Sequence, residues 1–469
     1  MFKEGEKMTQ NRELFEKTPV VKALMSLAVP TIASQLVSMI YNLADTFFIG
    51  MTNDDSKIAA SGVAFVLVFA MNCLSNLFGV GGSSLISRLL GERRDGDAAR
   101  VSSFSFWGSF VISAIYSLLI FAFMEPFLYF LGATDTSIAY AKDYAFWVVV
   151  VGAVPTTLMM TLSHLIRSEG YAKEAGAGLA IGSVLNIILD PIFMFVILEP
   201  GREVMGAAIA TMIANVVSLV YFLITLYLIK RRGASVLSIN PKKVIPEKHH
   251  IMSVFAVGFP SALGSMLACL SSIMVNNLTA SYKDIYGDVP VAAVTIAKKI
   301  DMLPMNVGMG LCQGMMPLVA YNYAAKNYKR MKAFSDAART IGIIFAIVCI
   351  AVFEIFAEPI VRIFVNNGEI VNMATKFLRI MCLAVPLMIT NFQMSFTFQA
   401  MGMGKQSLLL SSLRQGLINI PLLFLMNSIF QLDGIIWTQL ISDILTAIIS
   451  FTVYYKCYTK LVKSSELDG

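Results

Sequence analysis

The sequence predicts an all-α integral membrane protein with twelve transmembrane helices. They form two six-helix bundles related by a pseudo-two-fold parallel repeat. Composition is the first ground. Of 469 residues, 57% are hydrophobic and only 14% charged, and mean hydropathy is +0.71. An ordinary soluble domain carries about 25% charged residues. A water-soluble core cannot hide this much apolar surface, so the chain belongs in lipid. The second ground is an internal repeat. Ala28-Val29-Pro30 recurs as Gly258-Phe259-Pro260, Val154-Pro155 as Val385-Pro386, Pro191 as Pro421, and the segment from Gly206 in outline from Gly434. The offsets are 230, 231, 230 and 228 residues, so four landmarks keep one register. A unit of half a chain is too long for a solenoid repeat and suits a transporter built from two related bundles.

Apolar runs able to cross about 30 Å of hydrocarbon fall at 23–50, 58–90, 101–131, 140–166, 174–198 and 204–229 in the first half. The second half repeats them at 251–281, 290–325, 334–365, 374–401, 407–430 and 434–456. This divides the chain into an N-lobe (1–235), a cytoplasmic linker (236–250) and a C-lobe (251–469). The distribution of cations is the third ground. Five Lys or Arg lie in the segment up to Lys22. Arg93, Arg94 and Arg100 follow the second span, and Lys326, Lys329, Arg330 and Lys332 follow the eighth. Around the linker lie Lys230, Arg231, Arg232, Lys242, Lys243 and Lys248. The alternate loops carry little beyond Lys57, Arg202, Lys283 and Lys376. Cationic loops stay inside, so both termini are expected in the cytoplasm. Six spans is an even number, so both halves enter the membrane alike and a cavity is expected between them.

Prolines inside spans each free a carbonyl four residues earlier: Ser26 for Pro30, Ile187 for Pro191, Leu417 for Pro421. These read either as hinges or as packed kinks. The six Cys are scattered without a CxxC pair and imply no disulfide framework. Three His are too few for a His-rich metal site. The polar N-terminus is not a cleavable signal peptide. No nucleic-acid partner and no cofactor are expected.

A charge at the bilayer centre costs at least about 2.5–3.5 kcal/mol, so intramembrane acids usually have a function. Asp190 stands in VLNIILDPIFMF with Asn186 one turn earlier on the same face. With the carbonyl freed by Pro191 they cluster oxygens of the kind a hard cation or a proton needs. The alternative is a helix-end Asp near the outer interface. Asp45, with Tyr41 and Ser38 on the same stripe, is deep in the outer half of the first span, where an interfacial role competes. Thr211 offers another oxygen, unless it bonds its own backbone. The second half has Val275 and Ile420 where the first has Asp45 and Asp190. It offers Asn276 and Asn277, Asn391 and Gln393, and a different charge set: Lys298, Lys299, Asp301, Glu354, Arg414 and Asp443. Lys298 and Asp301 are spaced to pair, and Lys299, Asp301 and Glu354 are candidates for a C-lobe charge network. Snorkelling toward an interface is the plain reading of Lys298, Lys299 and Arg414. Arg167 and Glu169 end the fourth span as an ion pair with the next loop, or as a gate.

LAVPTIASQLVSMIYNLADTFFIG, LFGVGGSSLISRLLGERRDGDAAR, IRSEGYAKEA and LNIILDPIF resemble the MATE (multidrug and toxic compound extrusion) family, as do VGFPSALGS and MGLCQGMMPLVAYNYAAKNYKRM in the second half. The resemblance covers nearly the whole chain. It looks closest to the MepA-like bacterial branch of the MOP superfamily's MATE proteins, with ion-site features shared with the DinF-like branch. It implies cation-coupled antiport, with Na+ or H+ flowing inward and amphipathic, often cationic, drugs flowing out. The family's N-lobe cation site falls on Asp45, Asn186, Asp190 and Thr211. Tyr41 matches an aromatic position facing the N-lobe cavity. Ser38, Asn276, Asn391 and Gln393 are the further cavity residues expected. The family's fourth-span Asn ligand has no match near Met160, and the acids on the seventh and tenth spans of the NorM-like branch are absent. A monomer in the bacterial cytoplasmic membrane, in contact with lipid, is expected, and no enzyme activity. Two rivals are a lipid-linked oligosaccharide flippase, which wants several cavity Arg to hold pyrophosphate, and a membrane prenyltransferase. The latter wants paired acids for Mg2+, but Asp54-Asp55 has no partner motif.

Overall fold

The computed structural model describes residues 12–52, 54–244 and 247–467. It is 88% helix, with no strand among the described residues. The first half contains α1 (Val20–Gly50), α2 (Asp55–Gly91), α3 (Asp95–Ala122), α4 (Ile138–Val151 and Ala153–Ser168), α5 (Ala172–Ile192) and α6 (Glu203–Arg231). The second half contains α7 (Lys248–Ala280), α8 (Val289–Ala324), α9 (Tyr328–Arg362), α10 (Gly368–Cys382 and Val385–Ala400), α11 (404–430) and α12 (432–467). Among the described residues eight helices are long and apolar enough to cross a membrane, and the bent pairs of α4 and α10 raise this to ten. One of the eight reverses at Gln431, which stands at φ 53, and so divides into α11 and α12. α8 completes the set of twelve; its apolar run is interrupted by Lys298, Lys299 and Asp301.

The repeated sequence landmarks coincide with repeated backbone irregularities. Val154-Pro155 and Val385-Pro386 follow the bends of α4 and α10, which are 51° and 45°. Proline fits there because the first helical turn has no use for its missing N–H. Pro191 precedes a π turn at Phe193–Ile197 that prolongs α5, and Pro421 follows one at Leu413–Leu417 in α11. A π turn absorbs the register lost when an i→i−4 bond is missing. The spans differ from the sequence reading mainly at their ends. α3 starts at Asp95 and stops at Ala122, and Met124–Phe130 forms a separate short helix. The linker docks on α3: Ser102 and Ser103 donate to the Ser238 carbonyl at 3.0 and 2.9 Å.

The packing shows how the halves meet. One core runs through both of them. It joins Leu24, Leu27 and Ala28 of α1 and Leu85 to Leu90 of α2 with Val254 and Val257 of α7 and Leu311 to Tyr321 of α8. All of these lie at the end of the molecule where α1 begins. At the other end each half has a core of its own. The first contains Leu67, Met71, Ile120 and Tyr144, the second Ala293, Val294, Phe353 and Ile436. The bundles therefore share one core at the α1-start end, and at the opposite end each is packed around a core of its own. Glycines make the fusion tight. A Cβ on Gly81 would overlap the Val254 carbonyl, and one on Gly258 would overlap the Leu77 carbonyl, so α2 and α7 touch backbone to backbone.

Candidate functional site

In the first half, α1 lies against α5, pinned by a 3.3 Å contact between the Ser38 and Ser183 hydroxyls. Below that contact the structure brings together Tyr41, Asp45, Asn186, Asp190 and Thr211. Asn186 Nδ2 donates to Thr211 Oγ1 at 3.0 Å, which fixes the amide and leaves its oxygen free. That oxygen, both carboxylate oxygens of Asp190 and Oδ1 of Asp45 are buried without a hydrogen-bond partner. Asp190 is fully buried. It lies within electrostatic reach of Asp45, and Tyr41 lies against Thr211 within reach of both acids. Thr211 thus spends its hydroxyl on Asn186, where its own backbone was the alternative. Buried polar groups are normally paired, and two carboxylates this close in low dielectric repel unless a proton or cation lies between them. The donor set is four unpartnered oxygens on two helices that a bound cation would draw together.

The second half holds a different polar core, which the sequence did not reveal. Arg414 and Asp443 form a buried pair, Nε to Oδ1 at 2.6 Å. Asp443 also receives Asn391 Nδ2 at 3.2 Å and Gln439 Nε2 at 2.9 Å. Arg414 stacks on the Phe392 ring at 4.4 Å. It neither snorkels nor stands near an interface; the acid that holds it is on α12, 29 residues away in sequence. Two expectations fail here. Asn391 and Gln393 do not line a cavity. They are 3% and 1% exposed, and Gln393 Nε2 is held by Ser335 at 2.6 Å and Thr397 at 2.9 Å. The proposed grouping of Lys299, Asp301 and Glu354 is not formed either. Glu354 faces Arg379 at 3.6 Å, Lys299 makes no ion pair among the described residues, and Asp301 looks toward Arg414 and Asp443. Lys298 donates to exposed Asn276 at 3.0 Å and does not pair with Asp301.

At the fused end the lobes are latched. Among the described residues Arg167 of α4 pairs with no acid; its Nη1 donates across the seam to Gln313 Oε1 of α8 at 3.0 Å. Glu169 accepts from Ser235 Oγ and, at 2.8 Å, from Val236 N–H, and so ties the linker to α4. Residues 12–16 form a short helix that straddles both halves. Arg12 pairs with Asp95 at 2.8 Å, and Phe15 stacks on Tyr321 at 4.8 Å. Glu16 takes Arg93 from the first half and the Tyr321 hydroxyl, at 2.6 Å, from the second. Glu16→Ala removes both bonds at once. It is expected to speed amide exchange across residues 12–18 severalfold by mass spectrometry, since each such bond is worth about 1 kcal/mol. Exchange equal to wild type would show that the carboxylate does not hold the strap.

Two parallel bundles fused at one end, with a cluster of unpartnered oxygens in one of them, define a membrane transporter. The chain belongs to the MatE family, whose model matches residues 30–192 and 260–425, one stretch in each half. It is 33% identical over 454 residues to multidrug export protein MepA of Staphylococcus aureus strain MSSA476, covering 97% of this chain and 98% of that one. The MepA protein of Staphylococcus saprophyticus is 32% identical over 457 residues, with the same coverage. A solved multidrug resistance MATE transporter of the MOP superfamily, in an outward-facing conformation, superposes with a TM-score of 0.88 at 24% identity over 96% of this chain and 98% of its own. A MOP superfamily transporter from Pyrococcus furiosus gives a TM-score of 0.87 at 23% identity, with the same coverage. Those two likenesses show the fold.

Proposed function

We propose that this protein is a multidrug efflux transporter, working by cation-coupled antiport of amphipathic organic compounds across the bacterial plasma membrane. The observation that carries it is the set of four buried oxygens without partners on Asp45, Asn186 and Asp190. Unpartnered buried carboxylates are costly, and a cycle that binds and releases a cation there turns that cost into coupling. The kinship with proteins named multidrug export protein supports the cargo. The cation-rich loops support a cytoplasmic position for both termini, and in that orientation the end opposite the start of α1 faces outward, where a cleft between the lobes would open. In this reading a Na+ ion or proton enters from outside, removes the repulsion between Asp45 and Asp190, and lets α1 close on α5 while the drug leaves. The empty protein then opens inward. Each inward charge is driven by about 2.3 kcal/mol per 100 mV. The flippase reading loses ground, because the buried second-half arginine is already committed to Asp443.

Everted membrane vesicles, with a fluorescent cationic dye added to the medium that bathes their cytoplasmic face, test this. An imposed pH gradient or an imposed Na+ gradient is expected to drive dye transport above vesicles lacking the protein. The gradient that does so identifies the ion. Absence of dye transport under both gradients would remove the proposal.

A further inference from the structure

The N-lobe oxygens leave one intramembrane acid unexplained. Asp301 lies 12 residues into α8, roughly 18 Å from its outer end at 1.5 Å per residue, and so near the middle of the bilayer. Its Oδ1 is buried without a hydrogen-bond partner. Titratable groups face it from four other helices. Arg414 of α11 and Asp443 of α12 act on it directly. Cys349 of α9 and Cys382 of α10 are its thiol neighbours, and Glu354 stands behind Cys382, engaged with Arg379. On α8 itself Lys298 is turned to Asn276.

The local charge count decides what this site can hold. Arg414 and Asp443 cancel, so an ionised Asp301 would leave one uncompensated negative charge in the membrane interior, which is strongly unfavourable. A metal cation would not repair this. Hard cations take about six oxygen ligands, whereas both oxygens of Asp443 are already filled by Arg414, Asn391 and Gln439. Arg414 would also repel a metal ion. A proton needs only the one free oxygen. We propose that Asp301 is a proton-binding site of the C-lobe, separate from the N-lobe oxygens, with Arg414 as the cation it shares with Asp443. When Asp301 releases its proton, the guanidinium, whose five donors form a planar fork, turns from one carboxylate toward the other. That rearrangement moves α11 and α12 against α8, giving the second half a protonation-dependent motion of its own whatever compound is exported.

Infrared spectra of the full-length protein in lipid, taken over a pH series, test this directly. A protonated carboxyl shielded from water gives a C=O stretch separate from the carboxylate bands. The wild type is expected to show one that Asp301→Asn deletes, that Asp301→Glu shifts without deleting, and that Asp190→Asn leaves in place. A spectrum that Asp301→Asn and Asp301→Glu both leave unchanged at every pH means that Asp301 carries no proton, and overturns the proposal. Loss of the same band in Asp190→Asn overturns it as well, because the proton then belongs to the N-lobe.

Discussion

Asp190→Asn is expected to bring drug efflux down to the level of vesicles without the protein, while the amount in the membrane stays normal. The structure makes this substitution unusually clean. Asp190 is fully buried, yet neither of its oxygens has a close hydrogen-bond partner; the Asn186 amide one turn away is the donor within reach. Replacing it with Asn therefore breaks no ion pair, loosens at most the contact with the Asn186 amide, and barely changes volume. What it removes is the negative charge that attracts a cation and the proton that a carboxylate can carry. A residue held for structure would behave in the opposite way, since removing one partner of a satisfied buried pair is strongly destabilising, by about 3–5 kcal/mol. Asp443→Asn supplies that contrast, because Asp443 is filled by Arg414, Asn391 and Gln439. It is expected to lower the protein level or the unfolding temperature as well as transport. Drug-resistance assays with quantitation of membrane protein measure both. Full resistance with Asp190→Asn would sink the ion-site assignment.

These two acids also mark the limit of what could be read from the sequence. Asp190 was legible because Asn186 stands one helical turn before it and its neighbours are apolar, so a local pattern announced a polar face in lipid. The scaffold was legible for a similar reason: prolines and glycines fix backbone geometry, and they recur in register where the backbone bends at α4 and α10. Asp443 and Arg414 were not legible as a pair. They stand on different helices, and their pairing depends on the reversal at Gln431 that lays α12 back along α11. Gln393 misled for a related reason. An amide inside a lipid span looks like a cavity wall until the helix rotation is known, and here the rotation turns it toward Ser335 of α9. The strap at residues 12–16 was equally hidden, since only the folded chain brings Glu16 between Arg93 and Tyr321.

Gly258→Val is expected to abolish export by a different route, pushing the lobes apart at their fused end while leaving each of them folded. A Cβ at Gly258 would overlap the Leu77 carbonyl, and the facing Gly81 is confined in the same way by the Val254 carbonyl. The obstacle on each side is backbone, so no rotamer change relieves it. Only separation of α2 from α7 can. Each lobe has its own core at the end opposite the seam, with Leu67, Met71 and Tyr144 in one and Ala293, Phe353 and Ile436 in the other. Separation at the seam therefore does not unfold either bundle. Overpacking costs about 1–3 kcal/mol, and a bias of that size shifts a two-state equilibrium by roughly 5- to 150-fold. That is enough to depopulate this conformation in favour of one open at the α1-start end. Spin labels at Arg100 and Lys329, near the starts of α3 and α9 on opposite lobes at that end, read the change as a longer distance by pulsed electron resonance. Gly258→Ala, with the smaller side chain, is expected to lengthen it less. If the Gly258→Val distance matches wild type in a protein that still enters the membrane, the seam is not what holds the lobes together.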